Sequence, residues 1–502
     1  MKIFRADQVR EIDAYTIKNE PVLSIDLMER AASRLAGWYV RHFHTNRKVV
    51  IIAGPGNNGG DALAMARMLS DRQFRVECHL LRFGKLSEDC AINLERLKSQ
   101  GHVKLFETGE QDPLPEIDHT DVVVDGIFGS GLSRPVTGLP ARVIRHINEK
   151  AGSVIAIDIP SGLFGEDNSG NDLGTVVRAD YTITFQFPFL SFFFGEHEEL
   201  VGQWRVHDIK LHPAAIEATE TGYRTIEPEE IRSFLPQRRK YAHKGTFGHA
   251  LMISGSYGMM GAALMSGEAC LRSGAGLVTL HVPRFGYGIV QTGFPEAIVS
   301  LDQSDILFSE PPDLAPYTAV GVGPGLGRKS NSCKGLKMLL ERVEVPLVID
   351  ADGLNILSEH PEWLEMLPEN AILTPHPREF DRLAGPSENS YKRHLKQIEF
   401  ARKYRVVVVL KGAHTGIASP WGGYWFNTTG NPGMATGGSG DLLTGLITGL
   451  VAQGVPALEA AMTGVFIHGL AGDKAVEFSS EEALIAGDIM LYFGEAFSEL
   501  KG

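Results

Sequence analysis

Two α/β domains, each a parallel sheet covered by helices, are the fold this sequence predicts, on three observations. Short β-branched runs recur with helical stretches between them, the rhythm of parallel α/β architecture. A chain of 502 residues exceeds what one hydrophobic core ordinarily organises. Residues 213–228 interrupt the rhythm with polar and turn-forming positions, among them Glu217, Thr219, Glu220, Thr221 and Gly222, as a linker does. Domains are therefore expected over 1–215 and 226–502.

The strand runs of the first half are 48–53, 120–124, 153–157 and 181–185. Those of the second are 249–253, 277–282, 319–322, 346–349, 371–373 and 405–410. No short repeat appears and the halves carry different motif orders, which argues against duplication of one domain.

The chain is 43% hydrophobic and 22% charged, ordinary for a globular protein. Its net charge of −13 argues against a general nucleic-acid surface, while a local phosphate site built from backbone N–H groups stays open. The opening Met1 to Asp7 carries no apolar signal segment. The greasiest stretch, 181–194, is interrupted by Gln186 and Pro188 and is too short to span a bilayer. No membrane association is expected, and the location is expected to be cytoplasmic. Cys78, Cys90, Cys270 and Cys333 lack CxxC spacing, so buried thiols in a reducing compartment are expected rather than a zinc site or a disulfide framework.

In the first half, Gly54-Pro55-Gly56-Asn57-Asn58-Gly59-Gly60-Asp61 joins a strand to a helix. Glycines there let backbone approach a ligand beside free helix N–H groups. Two more strands end at Asp125, before Gly126-Ile127-Phe128-Gly129-Ser130-Gly131-Leu132, and at Asp158, before Ile159-Pro160-Ser161-Gly162-Leu163. One such Asp is more often a turn or helix cap. Three polar strand ends on one edge of a parallel sheet make a ligand crevice. Asn58, Asp125 and Ser161 offer amide, carboxylate and hydroxyl oxygens, suited to a hard monovalent cation rather than zinc, which leaves Asp158 for acid/base work.

These three loops, with Leu27-Met28-Glu29-Arg30-Ala31, resemble those of NAD(P)H-hydrate epimerases over about residues 5–212. The resemblance implies a Rossmann-like α/β/α sandwich that interconverts the R and S hydrates of NADH and NADPH. It implies potassium at Asn58, Asp125 and Ser161, catalysis by Asp158, and substrate contacts at Asn57, Asn58, Gly59, Gly60 and Asp61. Further contacts are implied at Gly129, Ser130, Gly131, Leu132, Ser133, Arg134 and Pro135. The sequence departs from the family after Phe185, where Gln186-Phe187-Pro188-Phe189 replaces a Gly, Pro and Lys turn. The Phe-rich stretch to Phe194 reads as core or as a buried interface, with the interface favoured.

In the second half, Asn431-Pro432-Gly433-Met434-Ala435-Thr436-Gly437-Gly438-Ser439-Gly440-Asp441 runs into an apolar helix. Gly437, Gly438, Ser439 and Gly440 at a helix start would aim N–H donors at a phosphoryl group, with Asp441 placed to take a proton. A capping Asp after a flexible turn explains Asp441 but not four adjacent small residues. No Gly-Lys-Ser/Thr follows, so this is not a Walker loop.

With 255–263, 323–327, 350–355, 373–379 and 410–415, this segment resembles the NAD(P)H-hydrate dehydratases over about residues 226–499. The resemblance implies a ribokinase-like α/β domain. Ala262, Gly325, His376 and Asp441 would contact the S hydrate, and Lys411, Gly412, Ala413, His414 and Thr415 would hold the nucleotide with the Gly437–Gly440 loop. It also implies Mg2+, ADP as phosphoryl donor, consumed to AMP and phosphate, and a homo-oligomer.

Two rival readings differ in class. A vitamin-precursor kinase shares the anion-hole style but lacks the Pro375-His376 and 352–355 context. A binding or scaffold module in front has no chemical need for Asn58, Asp125, Asp158 and Ser161.

Overall fold

The computed structural model describes residues 1–20 and 22–501, so Pro21 and Gly502, inside the expected domain ranges, lie outside the described residues. The chain divides into two compact units. The front unit holds Lys2–Thr221 with Asn389–Tyr391, and the rear unit holds Met1, Gly222–Glu388 and Lys392–Gly502.

The front unit contains β1 (Lys48–Ala53), β2 (Arg75–Leu81), β3 (Lys104–Thr108), β4 (Val122–Gly126), β5 (Val154–Ile157), β6 (Tyr181–Phe185) and β7 (Gln203–His207). They run parallel in the order β3-β2-β1-β4-β5-β6-β7. Helices α1 (Ala6–Asn19), α2 (Ser24–His42), α3 (Asn57–Asp71), α4 (Glu88–Gln100) and α5 (Gly138–Lys150) accompany them. In β1, Val49 and Ile51 enter one core while Val50 and Ile52 enter another, so a strand buried on both faces reads as a continuous apolar run. Strand order reverses between β1 and β4, and the loops after those strands open the crevice expected at such a point.

The 120–124 run is displaced: pairing with β1 carries β4 through Asp125 and Gly126, opposite Ile52 and Ala53. Asp125 thus lies within the ladder instead of after it. The Phe-rich stretch forms a 3-10 turn at Leu190–Phe193. Phe187 packs edge-on against Phe4 at 4.7 Å, and Phe192 and Phe193 lie 6.0 and 5.5 Å from Trp204, so these rings are core of the front unit.

In the segment expected as linker, Pro213–Ala218 forms a helix, because Pro213 presets its first turn and His212 Nδ1 accepts from Ala214 N at 3.2 Å. β8 (Tyr223–Thr225) follows.

The rear unit adds β9 (His249–Ile253), β10 (Leu277–Val282), β11 (Ile298–Leu301), β12 (Ala319–Val322), β13 (Leu347–Ile349), β14 (Ile372–Leu373), β15 (Val407–Leu410), β16 (Gly416–Ala418) and β17 (Tyr424–Phe426). Their order is β8-β17-β16-β15-β14-β13-β12-β9-β10-β11. The strands from β15 to β11 in that order are parallel, and β16 pairs antiparallel with both β15 and β17. Helices α6 (Met260–Arg272), α7 (Ala351–Glu359), α8 (Pro377–Ala384), α9 (Ser439–Ala452) and α10 (Ala457–Val476) are those that matter below.

Helix α9 is buried from Leu442 onward and packs tightly on α6. A Cβ at Gly445 would lie 2.0 Å from Ser266 O, and one at Gly449 would lie 2.4 Å from Cys270 O. Only glycine permits that approach, which fixes where the α9 N-terminus emerges. Cys78, Cys90 and Cys270 are buried free thiols. Among the described residues no helix is long and apolar enough to cross a membrane.

Candidate functional site

The front crevice is a cleft of about 690 Å³. It brings together Asn57, Asn58 and Asp61 from the first loop and α3, Gly129, Ser130, Gly131 and Leu132 after β4, and Asp158 after β5. Gly59 and Gly60 do not line it. A Cβ at Gly59 would meet Gly54 O at 1.8 Å and one at Gly60 would meet Met28 Sδ at 2.6 Å, so Gly59 serves the turn itself and Gly60 the packing of α3 against α2. Ser133, Arg134 and Pro135 are exposed beyond the cleft wall.

Beneath the cleft the expected cation ligands converge. Ser161 donates its hydroxyl to Asp125 Oδ1 at 2.6 Å and its backbone N–H to Oδ2 at 2.8 Å. Asn58 donates to Phe128 O at 2.7 Å, and Phe128 N donates to Ser161 Oγ at 2.8 Å. Asp125 is 0% exposed, and among the described residues no Lys, Arg or His pairs with it. Burial pushes its carboxyl up to about 6, against the opposing hydrogen bonds from Ser161 and Ile127. A buried carboxylate among neutral oxygens and without a cationic partner fits a monovalent cation.

Asp158 holds φ at +64°, a left-handed conformation costly for a residue with a side chain. Its N–H donates to Ile183 O at 2.8 Å, and Thr184 Oγ1 donates to its Oδ1 at 3.3 Å. Burial pushes its carboxyl up to about 6 while hydrogen bonds from Thr184 and Ser130 pull it down. Two further acids share the cleft, Asp13 from α1 and Asp89 from α4. Burial and then the Asp158 charge push Asp13 up to about 7, and Asp61 is raised well above the usual carboxylate range by burial, then Asp158, Asp13 and Asp89. The charge of Asp158 thus disfavours ionisation of Asp13 and Asp61 beside it. Asp13 and Asp89 escaped the sequence reading because they sit on helices with no motif around them.

In the rear unit Asp350, Lys411 and the start of α9 come together at the carboxyl edge of the parallel strands. Gly438 precedes the first residue of α9 as its N-cap, with a φ of +91° that favours glycine. Beside it Lys411, after β15, pairs with Asp350, after β13, at 2.8 Å. Thr444 of α9 donates to the other Asp350 oxygen at 2.6 Å. The position of a Cβ on Gly440 lies 3.4 Å from Lys411 Nζ, so the ammonium sits at the helix start. Asp441 is pushed up to about 7 by burial and then by Asp350, with Lys411 opposing and Asp352 adding.

Ala262 and Gly325 adjoin: a Cβ on Gly325 would meet that of Ala262 at 3.0 Å. Gly327 N donates to Asp352 at 2.8 Å, tying that loop to the carboxylates. His376 caps α8, its Nδ1 accepting from Arg378 N at 3.1 Å and Glu379 N at 3.2 Å, and its Nε2 lies 3.5 Å from Glu379 Oε1. Burial holds His376 below its usual value; Glu379 opposes, and Lys411 lowers it further. Gly412 and Ala413 are exposed, and Gly412 N donates to Thr415 Oγ1 at 3.3 Å, closing a turn. Ser439 Oγ lies 3.3 Å from His468 Nε2, a ring that burial lowers to about 4. Asp350 lies in the 350–355 motif but carried no expected role, and Thr444 and His468 were not anticipated. Asp350 had a signal, since it ends a strand just as Asp158 does.

Residues 250–489 match the family described as NAD(P)H-hydrate dehydratase, and residues 24–190 match the family described as YjeF-related protein N-terminus. A bifunctional NAD(P)H-hydrate repair enzyme from Moorella thermoacetica is 37% identical over 511 residues, covering 98% of this chain and 95% of that protein. A protein of the same name from Thermofilum pendens is 36% identical over 526 residues, covering 100% of this chain and 97% of its own. Among solved structures, a ribokinase-like superfamily protein from Enterococcus faecalis matches 57% of this chain and 99% of its own, at 28% identity and a TM-score of 0.50.

Proposed function

The chain belongs to the bifunctional NAD(P)H-hydrate repair enzymes, and from that membership we propose that its front unit carries the epimerase centre around Asp158 and its rear unit the nucleotide-dependent dehydratase centre around Asp441. The observation that carries the assignment is the placement of one acid at the carboxyl edge of each parallel sheet: Asp158 after β5 in the front cleft, and Asp441 on the first turn of α9 beside the Lys411–Asp350 pair.

Epimerisation needs the hydroxyl to leave the ring carbon and return on the other face. The ring nitrogen pair expels it, Asp158 gives up its proton to the departing oxygen, and the carboxylate recovers a proton from water adding opposite. A carboxyl near 6 serves both directions at neutral pH. Asn57 and Asp61 on the first turn of α3, with the 129–132 loop, would hold the dinucleotide. Asn58, Asp125 and Ser161 would hold potassium, whose charge would neutralise the buried Asp125 carboxylate and fix the loop bearing Ser161.

Dehydration needs a better leaving group than hydroxide. Asp441 would take the hydroxyl proton as the phosphoryl group arrives from ADP, leaving AMP. The N–H groups of the Gly437–Gly440 loop would stabilise the phosphoryl charge, the ring nitrogen pair then expels phosphate, and the iminium so formed loses a proton from the adjacent ring carbon to the departing phosphate or water, which restores the dihydropyridine. Lys411 and the 412–415 turn would hold the nucleotide, with Mg2+ carried on its phosphates. Ala262, Gly325 and His376 would shape the hydrate site. Repair of both epimers of NADHX and NADPHX in one chain follows from spontaneous hydration giving both while dehydration consumes the S form.

The test is recovery of dihydronicotinamide absorbance from mixed R and S NADH hydrate with Mg2+, K+ and either ADP or ATP. Full recovery is expected, falling to the S fraction in Asp158→Ala when spontaneous epimerisation is slow. No recovery with either nucleotide overturns the dehydratase assignment.

A further inference from the structure

The front unit carries a second concavity, of about 420 Å³, on the outer side of α2. It is lined by Arg30, Arg34 and Arg41 of α2, with His207 and Lys210. Concentrating four permanent cations around one pocket is notable in a chain of net charge −13.

The cations differ in their commitments. Arg30 is used structurally: it donates to Ile209 O at 3.0 Å and Lys210 O at 3.1 Å, and pairs with Glu20 at 3.2 Å. Arg34, Arg41 and Lys210 have no carboxylate within ion-pairing distance among the described residues. Arg30, Arg34 and Arg41 follow one another at spacings of four and seven residues along one face of α2, where like charges repel. Gly37, between Arg34 and Arg41, also lines the pocket, and a Cβ there would lie 3.8 Å from the Arg41 guanidinium. Lys210 enters from a left-handed φ of +59°, a conformation unusual for lysine, held by the Arg30 bonds to its segment. Burial keeps His207 below its usual value, with Arg41, Arg34 and His42 adding to the effect. Uncompensated positive charge on a preformed concave surface is an arrangement that an anion completes.

We propose that this pocket is a second anion site of the front unit, binding a phosphoanion of two or more negative charges, such as a diphosphate group. Guanidinium forks match phosphoryl oxygens in pairs, and several cations favour a multiply charged group over a single carboxylate. The site stands back to back with the substrate cleft. Leu27, Met28 and Ala31 of α2 with Ile209 and Leu211 line the cleft, while Arg30, Arg34 and Lys210 line the pocket. The two therefore share α2 and residues 209–211 as a common wall.

The experiment is calorimetric titration of the full chain and of the Arg34→Gln/Arg41→Gln variant with pyrophosphate, orthophosphate and ADP, together with thermal unfolding. The wild type should show a pyrophosphate isotherm that weakens with salt and loses about tenfold in affinity for each guanidinium removed. Without anion the variant should melt no lower than wild type, because a like-charge pair has been relieved. Loss of the pyrophosphate isotherm alone identifies a free diphosphate as ligand, and loss as well of one of two ADP binding events, the other being that of the rear unit, identifies a nucleotide's diphosphate; either supports the site. An unchanged pyrophosphate isotherm in the variant overturns it. So does weak binding indifferent to the anion, which would mean an adventitious ion only.

Discussion

Lys411 and Asp350 meet at 2.8 Å although they end different strands, and the carboxylate of the pair is 2% exposed. The pair places a fixed positive charge beside the start of α9 and a fixed negative one beside Asp441. Removing Lys411 strands a buried carboxylate, whereas Asp350→Asn removes the charge that needed compensation. Lys411→Met should therefore destabilise the rear unit by about 2 kcal/mol, discounted for the partly exposed ammonium, and Asp350→Asn by less. Denaturant unfolding of both variants checks the asymmetry; equal losses would mean that the pair does not act as described.

Asp441 sits at about 7, above the usual carboxylate value of 3.8. A folded-state value that is raised gives stability complete below about pH 4 and lost as pH rises through about 7. Asp441→Asn should abolish that loss, raising stability at pH 8 by about 2 kcal/mol relative to wild type with no gain at pH 4. Dehydration should fall by about a hundredfold or more. Thermal midpoints at the two pH values, beside turnover, separate a chemical role from a structural one.

Epimerisation should depend on a group titrating near 6, the value of Asp158. Asp13, pushed up to about 7 by burial and then by the Asp158 charge, is still protonated while Asp158 ionises. Asp13→Asn should therefore leave that limb in place and remove only a second titration at higher pH. Rate against pH for the wild type and the variant decides; a limb that moves would mean that Asp13 sets the Asp158 value.

Potassium at Asn58, Asp125 and Ser161 should raise the melting temperature of the chain over an equal concentration of tetramethylammonium chloride. Asp125→Asn should erase the difference, since the neutral amide no longer needs a counter-charge. The same midpoint in both salts for the wild type would dismiss the cation.

Glycines of similar appearance in the motifs should behave differently. Gly59→Ala forces a Cβ to 1.8 Å from Gly54 O and should cost about 3 kcal/mol or more. Gly437→Ala meets nothing within 4 Å and should change stability by about 0.5 kcal/mol or less. Its effect should appear in nucleotide affinity, and unfolding and binding measured together distinguish the two.

The motifs were legible because each needs several residue types consecutively: the 54–61 turn, the 437–441 cradle and the strand-terminal acids. Strand ends were less so. The 120–124 run became Val122–Gly126 because pairing with β1 sets the register. The expected linker holds a helix and a strand, because capping by His212 and pairing with β17 outweigh its polar composition.

By itself the sequence determined that two parallel-sheet halves carry glycine-rich turns and acids where strands end, because local conformation and apolar periodicity are written in neighbouring residues. The tertiary structure alone decided that Asp13 and Asp89 join Asp61 and Asp158, that Asp350 pairs with Lys411, and that Arg34, Arg41 and Lys210 face one pocket. Those relations depend on how helices pack and on which strands adjoin, and it is the desolvation and crowding so created that shift the carboxyls toward neutral pH.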